Sequence, residues 1–364
     1  MLRSLRFVFA TGIIFALSVI SLLNAPLNAA QVTPTPATPR ITINGRIQAG
    51  TDGLQLPVGA PVTLHVLRAT AQNASPVLIQ QLQTTLSADG TFRFENLAFQ
   101  PDDLVFASLR YDGAQQASLI IKLEAPLRDF ELPITLYART DDAAVVQIVR
   151  AQHTFEFPSE SMAQILSAYV LRVQGDKFFM TDQSAPNGKL ISARLPLPIG
   201  AVAIAFDPTL SDSLAIGGSS IAPEVLLTRP LFPDQSYEVI FSYQLPVSSG
   251  ATIDQDYLYR AEQVEVRLPQ EAGTALTSQT QRFRHSAESA QVTGRAYHVY
   301  QLEEPLRAGE RLIFTLTRRL PTPQPAARLS RADDTTWFAV LVLGLVLIGA
   351  FGSAVWLLRR LLRR

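Results

Sequence analysis

The sequence predicts an all-β chain: two consecutive β-sandwich domains followed by one C-terminal transmembrane helix. Three observations carry that reading. Between Ile41 and Leu320, apolar and polar residues alternate with a period of two in short runs, the spacing of half-buried strands, whose side chains point to opposite faces in turn. Turn residues punctuate those runs at intervals suited to a sandwich. Residues 337–358 carry no charge, and a helix of that length, at about 1.5 Å per residue, spans ~33 Å, enough for a hydrocarbon core of ~30 Å.

At 364 residues the chain has room for two folded domains. It contains no cysteine, which excludes disulfide scaffolds, thiol nucleophiles and Cys-ligated zinc or iron–sulfur centres. Thirty-one basic residues balance 31 acidic ones, but Arg3, Arg6, Arg359, Arg360, Arg363 and Arg364 lie at the two ends. The middle is therefore acidic and a poor match for nucleic acid, so no such partner is expected.

The elements follow in order. Arg3 and Arg6 precede an apolar run over 7–23, and small residues follow up to Ala30. Residues 1–30 therefore read as a secretory signal peptide. An uncleaved anchor is the alternative, because Leu27 or Asn28 stands where cleavage prefers a small residue. Residues 31–40, rich in proline and threonine, read as an extended spacer.

Residues 41–139 form the first domain. Val62, Leu64 and Val66 alternate with Thr63 and His65, and Phe92 and Phe94 alternate with Arg93 and Glu95. Ser87-Ala88-Asp89-Gly90 between two such runs has the chemistry of a hairpin turn, because glycine accepts positive φ. About seven strands are expected, near 41–48, 61–68, 77–86, 91–97, 103–111, 116–123 and 129–138. Three segments in this order, Ile43-Asn44-Gly45-Arg46-Ile47, Gly59-Ala60-Pro61-Val62-Thr63-Leu64 and Ser87-Ala88-Asp89-Gly90-Thr91-Phe92-Arg93-Phe94, resemble the carboxypeptidase regulatory-like, transthyretin-like domain. That resemblance implies a small Greek-key-like sandwich used as an accessory, adhesive or spacer module, without peptidase activity.

Asp141-Asp142 marks a boundary, and residues 140–320 are expected to form a second, larger antiparallel sandwich. In 145–157 the odd positions Val145, Val149, Ala151, Phe155 and Phe157 are apolar. Val239, Phe241, Tyr243 and Leu245 point one way, and 264–268 and 311–316 repeat the pattern. Residues 321–336, with prolines at 321, 323 and 325, form a stiff stalk. Trp337 and Trp356 take the interfacial positions at the two ends of the 337–358 helix, and the cluster from Arg359 and Arg360 to Arg364 places the six-residue tail in the cytoplasm. Gly349 and Ser353 put small residues on one helix face, which suits weak self-association. The order of parts is similar to that of a group of bacterial membrane-anchored envelope proteins. It implies a single-pass plasma-membrane protein with its β-domains outside the cytoplasm, periplasmic or at the cell surface.

The chemistry-bearing residues are few. His153 and Glu156 are three apart, as in zinc carboxypeptidases, but residues three apart on a strand project to opposite faces and cannot share one ion. His285 and His298 are 13 apart on neighbouring strands of one hairpin and are the candidate metal ligands. Asp254, Asp256, Tyr257 and Tyr259 concentrate carboxylates and aromatics, a candidate surface for a sugar or a peptide. No catalytic residue and no cofactor are assigned. The expected role is non-enzymatic: protein–protein contact or assembly at the cell envelope, with a membrane or envelope protein as partner. The alternative is a binding module for a small ligand, either a metal ion delivered to a transporter or cell-wall carbohydrate.

Overall fold

The computed structural model describes residues 40–318, apart from 71–72, 127–128, 249, 287–289 and 293. The expected signal peptide, most of the expected spacer, the expected stalk, the expected 337–358 helix with Trp337, Gly349, Ser353 and Trp356, and the tail with Arg359 and Arg360 lie outside the described residues.

The described chain is all-β, with three single-turn 3₁₀ segments and no α-helix among the described residues. Its first ten strands are β1 (Arg40–Ala49), β2 (Pro61–Thr70), β3 (Asn73–Thr85), β4 (Thr91–Ala98), β5 (Leu104–Tyr111), β6 (Ala114–Ala117), β7 (Ile121–Lys122), β8 (Phe130–Glu131), β9 (Ile134–Leu136) and β10 (Arg139–Thr140). One sheet centres on β1, which pairs antiparallel with β4 and parallel with β8 and β9. A second runs β3-β2-β5-β6, with β7 also on β5. The alternating residues of both sheets bury one apolar layer that includes Ile43, Val62, Leu64, Phe92, Val105 and Ile134.

Two details depart from the sequence expectations. Ser87–Gly90 is a tight turn, closed by Gly90 N–H to Ser87 O (3.0 Å), with Gly90 at φ 79°. It is not a hairpin: β3 pairs with β2 and β4 with β1, so the turn carries the chain from one sheet to the other. The expected 129–138 strand is split into β8 and β9 at Pro133, which has no N–H to give to a ladder. Gly45 sits directly opposite Phe92, whose ring fills the space where a Cβ would be. The ring thereby covers an otherwise bare strand position.

The remaining strands are β11 (Val146–Ser159), β12 (Met162–Val173), β13 (Phe178–Phe179), β14 (Ala193–Pro196), β15 (Val202–Phe206), β16 (Leu214–Gly218), β17 (Pro223–Leu227), β18 (Ser236–Pro246), β19 (Ala251–Tyr257), β20 (Arg260–Ala261), β21 (Val264–Pro269), β22 (Thr274–Thr277), β23 (Phe283–His285), β24 (Ala290–Val292), β25 (Arg295–Leu302) and β26 (Glu310–Arg318). Seven of them run β15-β18-β12-β11-β21-β25-β23 in one large sheet, with β20 on β11 and β24 on β25. Two three-stranded sheets, β14-β17-β16 and β19-β26-β22, contribute to the same apolar cluster. Phe155 of β11 meets Phe314 of β26 edge to face at 6.1 Å, which ties the large sheet to a small one.

The pattern of β11 corrects the sequence reading. The side chains it buries in the core are Val146 and Ile148, then Ala151, His153 and Phe155, with Thr154 buried on the opposite face. A bulge between Ile148 and Arg150 inserts one unpaired residue, and that extra residue moves the buried set from even to odd positions. The expectation of odd positions throughout therefore fails at its N-terminal end, where Val149 is only half-buried.

Strand pairing continues across the expected boundary. β10 pairs parallel with β13. Thr51 Oγ1 donates to Asp176 O and accepts from Ala138 N–H at 2.9 Å, and Phe178 and Met180 pack with Ala114 and Tyr137.

Candidate functional site

The acidic–aromatic segment around 254–260 divides by strand geometry. Along β19, Ile253, Gln255 and Tyr257 point inward, while Asp254 and Asp256 point to the other face. Cross-strand pairing sets Arg311 of β26 opposite Asp256. Its guanidinium donates to Asp254 Oδ2 and lies 3.3 Å from Asp256 Oδ1. Beside this trio, Arg194 of β14 grips Glu224 of β17 through two bonds of 2.8 Å. Together with Leu258 these groups line a cleft of about 210 Å³. Asp254 Oδ1 is buried and has no hydrogen-bond partner. The charged groups that line the cleft are thus held in ion pairs with one another.

Tyr257 and Tyr259 are not on that surface, contrary to the sequence reading. Their exposures are 2% and 5%, and burial pushes both hydroxyls above the ordinary tyrosine pKa. The Tyr259 hydroxyl accepts the backbone N–H of Arg194 at 3.0 Å. Tyr237, Tyr243 and Tyr297 are buried as well. None of these five rings presents a face on which a sugar could stack, and the exposed apolar side chain of the segment is Leu258.

Behind β19 lies a polar network that sequence reasoning missed. His153 shares hydrogen bonds with Ser167 Oγ (2.9 Å, through Nδ1) and with the Tyr257 hydroxyl (2.7 Å, through Nε2). Gln255 Nε2 donates to the Tyr169 hydroxyl (2.8 Å) and to Pro196 O (2.9 Å). The Ser167–His153 distance is that of a nucleophile and its base. Both side chains are closed inside the apolar core, however, so no substrate reaches them and the network is structural. Desolvation lowers the His153 pKa from 6.5 to about 4. The available signal was strand parity, once the bulge in β11 is counted.

The candidate metal ligands are brought together. β23 and β25 pair antiparallel, and His285 Nε2 lies 3.1 Å from His298 Nδ1. His65 stands apart, stacked on Phe106 at 4.4 Å and bonded to Ser108 Oγ. Glu156 turns away from His153 to meet the Tyr297 hydroxyl and Arg295. Among the described residues, no three His, Asp or Glu side chains converge as a metal-binding cluster.

A fourth feature is an open sheet edge. β3 pairs only with β2 among the described residues. From Asn73 to Thr85 it contains no charged residue, and Val77, Leu78 and Ile79 are 44%, 47% and 45% exposed.

No family model matches the sequence, and no curated protein matches it. Solved structures give distant likenesses. The M1 zinc metallopeptidase of Deinococcus radiodurans aligns at 11% identity with a TM-score of 0.28, over 47% of this chain and 42% of that one. The chain therefore spans less than half the length of that enzyme. The major pilin SpaA of Corynebacterium diphtheriae aligns at 10% identity with a TM-score of 0.19, over 77% of this chain and 83% of that one. The pilus protein RrgB of Streptococcus pneumoniae aligns at 10% identity and 0.21, over 77% and 62%.

Proposed function

We propose that the chain is a non-enzymatic, membrane-anchored contact protein, with two β-sandwich domains held outside the cytoplasm by the 337–358 helix. The observation that carries this reading is the β3 edge. Soluble proteins usually blunt an open edge with charge, because a row of unpaired N–H and C=O groups templates a further strand. β3 offers 13 residues without one charge. Pro76 lacks an N–H and Ile79 is the extra residue of a bulge, so the usable edge runs from Gln80 to Thr85. Its occupant is an extended, uncharged segment of another envelope protein. Strand addition along 80–85 supplies the main-chain bonds, and apolar side chains of the occupant cover the exposed Val77-Leu78-Ile79 stretch beside it.

Crosslinking of native membranes that hold the full chain tagged after Arg364 tests this directly. Ile79→Lys combined with Gln83→Lys should lower the yield of the crosslinked partner at least about tenfold and leave the thermal midpoint unchanged, since both positions are exposed. Equal yields would overturn the strand-addition reading. The anchor has its own test: in intact cells the tag should survive external protease while residues 41–320 are digested. Digestion of the tag would reverse the topology.

A second reading, a small-ligand module, is favoured by one observation, the contact between His285 and His298. It concerns metal ions rather than carbohydrate.

A further inference from the structure

We propose that His285 and His298 form a two-imidazole binding site for one late first-row divalent cation, Zn(II) or Cu(II). The site is at the β23–β25 edge of the large sheet, away from the β3 contact edge. Backbone register holds the two ligands in place. His285 is paired with Tyr300, and the N–H of the following residue, Ser286, bonds to Val299 O at 2.8 Å. His298 is paired on its other side with Leu268. The two histidines are therefore diagonal neighbours whose rings reach one another, with centroids 5.0 Å apart and planes at 55°.

The bite distance is what points to an ion. Two metal–nitrogen bonds of about 2.0–2.1 Å place their nitrogens about 2.9 Å apart at a right angle and about 3.4 Å apart at a tetrahedral angle. The observed Nε2–Nδ1 separation is 3.1 Å, inside that interval. Imidazole nitrogen is a preferred donor for both cations. Without metal, the close pair requires one N–H pointing at the other ring's lone pair. On binding, that proton moves to the far nitrogen of its own ring through solvent, so both rings stay neutral and each gives a lone pair to the ion. No bond is made or broken beyond coordination. His285 is exposed, which leaves the remaining coordination positions to water. The Tyr300 ring, 5.0 Å from the His285 ring, walls one side.

The test uses the full chain purified without a polyhistidine tag, titrated with Cu(II) and read by electron paramagnetic resonance, and titrated with Zn(II) in a calorimeter. The expected result is one equivalent of Cu(II) with two imidazole nitrogens in its plane. His285→Gln and His298→Gln should each weaken both metals at least about tenfold. His65→Gln, which alters a histidine in the other sheet system, should leave both affinities unchanged. If His298→Gln disturbs folding, the exposed His285→Gln decides alone. No stoichiometric binding, a single coordinating nitrogen, or unaltered affinity in His285→Gln would overturn the site.

Discussion

Lowering the pH from 6.5 to about 4 should cost the folded chain about 3 kcal/mol through His153 alone. The imidazole is enclosed between Ser167 and the Tyr257 hydroxyl, and desolvation holds its folded pKa near 4 against 6.5 for an open histidine. In that window the unfolded chain binds a proton that the folded chain refuses. Stability from this group is therefore fully present above pH 6.5, falls as the pH drops toward 4, and changes no further below it. At about 1.4 kcal/mol per pH unit, the interval gives the figure above. Urea unfolding at a series of pH values, followed by tyrosine fluorescence, measures it, since six of the nine tyrosines lie between 237 and 300. His65 and His298 are also depressed by burial, so the informative quantity is the difference between the parent and His153→Gln. The variant should lose markedly less stability across the window. Parallel curves would mean that His153 is not held neutral inside the fold.

Phe155→Ala should be the most damaging truncation, at roughly 3–5 kcal/mol. The ring is buried, stacks near Phe157 at 6.4 Å, and meets Phe314 edge to face. Phe314 in turn meets Phe283 at 6.0 Å. Removing Phe155 thus opens a cavity where the large sheet and the β19-β26-β22 sheet face each other, and rigid strands on both sides limit its collapse. Leu119→Ala, at an exposed loop position, should stay within about 0.5 kcal/mol of the parent. A shift of the urea midpoint with an unchanged slope checks both substitutions. A loss below about 1 kcal/mol for Phe155→Ala would show that the two sheets do not pack through this ring.

The sequence made much of the sheet architecture legible. In β18, β21 and β26 no bulge interrupts the run, so Val239, Phe241, Tyr243 and Leu245, or Leu312, Phe314 and Leu316, appear as strict alternation and are buried as such. β11 was misread because a bulge is a property of two strands, and one strand's sequence does not announce it. Residues 87–90 showed a turn, but not which strand each flank would pair with, since pairing depends on distant partners. The site was only partly legible. Asp254 and Asp256 are separated from Gln255 and Tyr257 by the same period of two, so the inward course of Tyr257 was readable. Grouping residues by chemistry rather than by parity hid it. Arg194, Glu224 and Arg311 come from three other strands, and nothing near Asp254 in the chain names them.

The parallel pairing of β11 with β21 sets an order of events. β11 and β12 are joined by a two-residue turn and can zip together as soon as both exist. The other side of β11 must wait for Val264–Arg267, more than a hundred residues further along. Closing so long a loop is slow. A chain emerging from its N-terminus therefore passes through a stage in which β11 is an open edge displaying Phe155. Transient strands of this kind invite intermolecular pairing. Synthesis in a crowded cell is thus the moment of greatest hazard for this protein, and a holding chaperone that delays β11 until residue 267 has arrived would raise its yield.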